Sequence, residues 1–92
     1  MDDADTDALL RALYEHLHAT EELPIERTAS RWIAEAEAVA GDLADSELAD
    51  SVVRERVGHV EHLLAQVEGT GSEEADEHVR QAKDIVDRIL AA

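Results

Sequence analysis

Residues 53–90 read VRERVGHVEHLLAQVEGTGSEEADEHVRQAKDIVDRIL, and this stretch decides the fold. Val53, Val57, Val60, Leu64 and Val67 recur at steps of four, three, four and three, which puts them on one face of a helix. Leu48, Val52 and Leu63 flank that seam. Gly69-Thr70-Gly71-Ser72 then interrupts the pattern with turn residues. Gly69 is placed to close one helix, and Thr70 or Ser72 to open the next. Ala75, Val79, Ala82, Val86 and Ile89 repeat the same steps, broadened by Ile85 and Leu90. A half-buried strand needs alternation with period two, and no such pattern appears. Two amphipathic helices joined by so short a turn pack antiparallel with their apolar faces together.

The same reading extends toward the N-terminus. Asp2 to Asp7 form an acidic leader, and Asp5, Thr6 or Asp7 can cap a first helix at the positive end of its dipole. Leu10, Leu13, Tyr14 and Leu17 share a face, with Leu9 at its edge. Glu21 to Pro24 break the chain, and Pro24 suits the first turn of a second helix. Ile25, Ala29, Trp32, Ala36, Ala40 and Leu43 form its stripe, widened by Ile33. Gly41 either ends this helix in the left-handed conformation or lies within it at a cost of about 1 kcal/mol relative to Ala. Asp45-Ser46-Glu47 is the start signal for the third helix. Gly58, mid-helix beside the seam, marks close approach of another helix or is simply tolerated.

These patterns predict helices over 5–19, 25–43, 46–68 and 72–91 in a single domain spanning 1–92. The fold class is all-α, an up-down antiparallel four-helix bundle. The alternative is a three-helix or helical-hairpin domain that completes its core as a dimer, because a seam does not announce whether its partner lies in the same chain.

Composition bounds the rest. Sixteen Ala stand against one Trp, one Tyr and no Phe in 92 residues, so the expected core is thin. A buried large apolar side chain contributes about 1.5–3 kcal/mol, and Ala far less. The net charge is −15, from 23 Asp and Glu against 8 Lys and Arg, and Lys83 is the single Lys. Such self-repulsion opposes a compact state in dilute buffer and is screened by salt. It argues against nucleic acid and against an anionic membrane surface, both of which call for clustered Lys and Arg. A basic protein or a cation remains a suitable partner. No Cys is present, which excludes disulfides, thiol nucleophiles and cysteine zinc sites. The longest apolar run is Ile89 to Ala92, too short for a membrane span or a signal peptide, so a cytoplasmic location is expected.

His16, His18, His59, His62 and His78 invite a metal reading. Glu15 and His18 form Glu-x-x-His, the spacing of di-iron bundles, and His59 and His62 are spaced to share one ion. Against this, Glu15 points nearly opposite the first stripe, His18 lies at its flank, His62 points away from the third seam and His59 sits to its side. His78 flanks the fourth stripe near Ile85 and is expected to cover the edge of the core. Glu74, Glu77, Asp84 and Asp87 resemble the paired acids of all-α nucleotide pyrophosphohydrolases, but all four sit on one helix, and Glu77, Asp84 and Asp87 face away from its seam. Glu77 with Arg80, and Asp84 with Arg88, make helical ion pairs instead. Ser30, Ser46, Ser51 and Ser72 lie in no Gly-x-Ser-x-Gly, and Gly69-Thr70-Gly71 is too short for a phosphate loop. No catalytic residue and no cofactor follow. Trp32 is either core or a contact anchor, with Tyr14 beside it.

Residues 25–43, with Arg31-Trp32-Ile33 and the Ala/Glu run from Ala34 to Ala40, together with Val57-Gly58-His59-Val60-Glu61-His62, resemble small acidic helical proteins of unknown function from haloarchaea. The resemblance implies a cytosol of molar salt and carries over no catalytic residue. The expected function is a non-enzymatic helical module for protein interaction or dimerisation, with Trp32 as a contact and a homodimer as one form. The alternative is a metal-binding or metal-dependent protein using His59, His62, Glu15 or His18 and the acidic pairs.

Overall fold

A computed structural model describes the backbone of residues 3–91 and the side chains of residues 5–91. Met1, Asp2 and Ala92 lie outside the described residues. Helix α1 runs Asp3–Ala19 and continues into a 3-10 turn, Thr20–Glu22. Helices α2, α3 and α4 span Arg27–Asp45, Asp50–Ala65 and Glu73–Ala91. Each helix packs against its neighbours in sequence, and α4 returns against α1, which closes the four-helix bundle expected from the sequence.

The core follows the stripes. Leu10, Leu13 and Leu17 of α1, Val53, Val57, Val60, Leu63 and Leu64 of α3, and Val79, Ile85, Val86 and Ile89 of α4 are all buried. Val67 is buried too, just beyond α3. Helix α2 contributes Ala29, Ala36, Ala40, Ile33 and Leu43, so its buried face is centred on Ile33 while Trp32 lies half-buried at the edge. Five of the twenty buried hydrophobics are Ala and none is aromatic, which makes the core as thin as composition implied. The radius of gyration is 12.4 Å, close to the roughly 12 Å expected for a compact chain of this length, so the four helices complete one globule within a single chain.

Five helix ends differ from the sequence expectation, the starts of α1, α2 and α3 and the ends of α2 and α3. The acidic leader from Asp3 to Asp7 is already helical, so Asp5, Thr6 and Asp7 lie inside α1 and do not cap it. Helix α2 starts at Arg27, beyond Pro24 and Ile25, because Glu26 stays extended and donates its N–H to the Thr70 carbonyl at 2.7 Å. It then passes through Gly41 to Asp45, and Asp45-Ser46-Glu47 end a helix instead of starting one. Helix α3 begins only at Asp50, where the Ala49 carbonyl accepts from Val52 and Val53, and it ends at Ala65. Leu48 consequently belongs to a connection and not to a stripe. In the turn before α4, the positive φ of +85° falls on Gly71 and not on Gly69.

That turn is built around Thr70, which is fully buried. Its N–H and its hydroxyl both lie within hydrogen-bond reach of Asp76 Oδ1, at 2.9 and 2.8 Å, and its hydroxyl oxygen accepts from Ser72 N–H at 3.1 Å. Ser72 Oγ accepts from Ala75 N–H at 3.3 Å, so Ser72 is the cap of α4. At the opposite end of the bundle, Arg54 of α3 donates to the terminal carbonyls of α4, to Ile89 at 3.3 Å and Leu90 at 2.6 Å, and satisfies acceptors that a helix end leaves free.

Candidate functional site

The most chemically loaded cluster is assembled from α1, the 3-10 turn and α2, and it starts from a glycine. A Cβ on Gly41 would approach Tyr14 Cε1 to 3.2 Å, so the missing side chain gives the Tyr14 ring its place against α2. Tyr14 in turn stacks on His18, one helical turn later, with ring centroids 5.5 Å apart and planes 17° from parallel. His18 Nδ1 then lies between two carboxylates, 3.1 Å from Glu21 Oε2 and 3.2 Å from Glu37 Oε2. The donor atoms of all three residues fall within 4.8 Å of one another.

Electrostatics in the cluster follow from that geometry. The hydrogen bond to Glu37 raises the His18 pKa above its ordinary value, helped by the negative charge of Glu21. Glu37 is also raised. Burial of its carboxyl is the largest cause, outweighing the hydrogen bond to His18, and the Glu21 carboxyl beside it pushes the same way. Its Oε1 is buried without a hydrogen-bond partner. A carboxylate oxygen left in that state is costly.

Of the sequence candidates, only His18 joins such a cluster. Its partners do not include Glu15, which is exposed one turn earlier on α1. They are Glu21, three residues ahead across the end of α1, and Glu37, nineteen residues away on α2. His59 and His62 are exposed on α3, and no group of three metal-capable residues among the described ones includes them. His16 and His78 meet across α1 and α4 with Nδ1 atoms 3.0 Å apart, so one ring donates and the other, neutral, accepts. His78 is half-buried at the core edge, where the sequence placed it. Glu74, Glu77, Asp84 and Asp87 are exposed, and the expected pairs are present, Glu77 with Arg80 and Asp84 with Arg88. Trp32 packs partly against the core, with the Arg31 guanidinium carbon 5.8 Å from its ring centroid.

A second feature lies at the end of the bundle where α2 hands over to α3. A groove of about 700 Å³ opens there, with Leu10, Leu43 and Val53 in its floor. Leu48 sits at its mouth, the one large hydrophobic exposed among the described residues, at 37%. Asp7, Asp45, Glu47 and Asp50 line the rim, together with Arg11. Nothing in the sequence pattern singled out Leu48, because it was assigned to the flank of a helix that starts later than expected.

None of the described helices is long and apolar enough to cross a membrane. No curated protein and no solved structure matches the chain. A family model does match it, over residues 9–92, which takes in α1 from Leu9 onward, α2 to α4, the His18 cluster and the groove apart from Thr6 and Asp7. The chain therefore belongs to the family described as a domain of unknown function, DUF8152.

Proposed function

We propose that this chain is a non-enzymatic interaction module that docks a basic protein segment in the groove at the α2–α3 end. The observation that carries this reading is Leu48, an exposed large hydrophobic in a groove that reaches down to Leu10, Leu43 and Val53 inside an acidic rim. An apolar anchor surrounded by groups that fix its orientation is the usual anatomy of a small binding patch. The rim holds four carboxylates against one Arg, so it suits a segment whose apolar side chain is flanked by Lys or Arg. A second copy of the chain suits it less, because each copy carries a net charge of −15. The setting that accounts for this charge is the molar-salt cytoplasm of a haloarchaeon, in which contact ion pairs persist while long-range repulsion is screened.

The test is a titration of the labelled protein in KCl followed by backbone amide NMR. The probe is a short synthetic peptide with a Leu-Leu centre flanked by Lys and Arg, and the control has the same centre flanked by Glu. Shifts confined to Leu10, Leu43 and Glu47 to Val53 with the basic peptide alone, abolished by Leu48→Ser, are the expected result. No shift with either peptide overturns the proposal. Concentration-dependent shifts at the same amides, with a doubled mass by light scattering, replace the partner by a homodimer. Trp32→Ala reads separately whether that ring adds to either contact.

A further inference from the structure

The geometry points to a divalent metal site formed by His18 Nδ1, Glu21 and Glu37, of the class that takes zinc and neighbouring first-row ions. The distances carry the argument. Zinc binds imidazole nitrogen and carboxylate oxygen at about 2.0–2.2 Å, which in a tetrahedral shell sets neighbouring ligand atoms roughly 3.3 Å apart. His18 Nδ1 lies 3.1 and 3.2 Å from the two carboxylate oxygens, so two edges of that tetrahedron already exist. The third edge, between Glu21 and Glu37, is within 4.8 Å, and Glu21 is exposed enough to close it by a change of rotamer. One imidazole and two carboxylates form a nitrogen and oxygen donor set suited to zinc, manganese or iron, and their two negative charges balance a divalent ion.

The site is also supported from outside. Tyr14 stacks on the His18 ring and Gly41 makes room for Tyr14, so the imidazole is held in place before any ion arrives. Within the cluster, Glu37 Oε1 is buried with no hydrogen-bond partner, in a side chain only 13% exposed. The hydrogen bond to His18 uses Oε2 and leaves Oε1 without a partner, while the Glu21 carboxyl lies close beside it. A bound cation resolves both. No other group of three metal-capable residues is found among the described ones.

The experiment uses the full chain, stripped with EDTA, dialysed into KCl and titrated with ZnCl₂ by calorimetry. The site is then located by the broadening that substoichiometric Mn²⁺ causes in the NMR spectrum. One ion per chain is expected, with broadening centred on His18, Glu21 and Glu37. Loss of a ligand in His18→Gln or Glu37→Gln weakens binding by about 10- to 100-fold or more, whereas the double variant His59→Gln/His62→Gln binds like the parent. Circular dichroism confirms that each variant is folded, and Glu21→Gln, at a side chain 55% exposed, supplies a ligand loss outside the core. Absence of stoichiometric binding overturns the inference and leaves the triad as a salt bridge of protonated His18. So does an affinity that survives both ligand losses, or one that disappears with His59 and His62.

Discussion

Replacing Gly58 by Ala stabilises this protein by about 1 kcal/mol, and the equivalent change at Gly41 does not. Both glycines lie inside helices, where Ala is favoured over Gly by about 0.8–1 kcal/mol. The difference lies in what a new methyl meets. At Gly58 nothing outside its own helix backbone comes within 4 Å of an added Cβ, so the propensity gain is kept in full. At Gly41 the Cβ meets Tyr14 at 3.2 and 3.4 Å. The ring must retreat by a few tenths of an ångström while stacked on His18, and overpacking of that kind costs about 1–3 kcal/mol. Gly41→Ala is therefore neutral to destabilising by about 2 kcal/mol, and the two variants differ by about 1–3 kcal/mol. For a chain of this size 1 kcal/mol moves the melting temperature by about 4–8 °C. Thermal unfolding followed by circular dichroism in molar KCl reads the difference directly. A Gly58→Ala variant no more stable than the parent, or a Gly41→Ala variant as stable as Gly58→Ala, refutes the account of both positions.

Two further outcomes follow from groups described above. Asp76 is held below its ordinary pKa by the Thr70 N–H and then by the Thr70 hydroxyl, so the folded state binds this proton more weakly than the unfolded one. Its contribution is complete above the unfolded carboxylate value of about 3.9 and is lost as pH falls through the lower folded value. The stability gap between the parent and Asp76→Asn accordingly narrows in acid, read from denaturant unfolding at stepped pH, and a gap independent of pH contradicts the assignment. Raising KCl from about 0.1 M to about 1 M shortens the Debye length from about 10 Å to about 3 Å. With a net charge of −15, helicity and melting temperature rise over that range, and a flat response removes salt adaptation as the reason for the charge.

Much of the fold was legible because burial imposes a period on sequence. The stripes of α1, α3 and α4 are the buried residues almost one for one, and even the Glu77–Arg80 and Asp84–Arg88 pairs follow from helical spacing alone. The helix starts were less legible for an equally physical reason. Glu26 and Ala49 cap α2 and α3 with no side-chain hydrogen bond, so no capping residue announces them, whereas Ser46 has capping chemistry but follows the end of α2. The start of α2 is fixed by the Thr70 carbonyl, forty-four residues downstream, which no local signal encodes. The His18 cluster was half visible. Helical spacing pairs its histidine with Glu15, three residues behind. The real partners lie three residues ahead and on another helix, and only tertiary packing brings Glu37 there.

The two ends of the bundle are not equivalent. At one end, the α1–α2 connection is hydrogen-bonded to the α3–α4 turn through Glu26 and Thr70, and the turn is fastened to α4 through Asp76. At the other, the α2–α3 connection runs over an open groove between exposed residues from Asp45 to Asp50. Arg54 joins α3 to the last turn of α4 at this second end, so the loosest element is the α2–α3 connection itself, and fluctuations that cost little free energy concentrate there. Amides of Glu47 to Asp50 exchange with solvent long before those around Glu26 and Thr70. The groove can widen while the end joined through Glu26 and Thr70, and the His18 cluster midway along α2, stay in register.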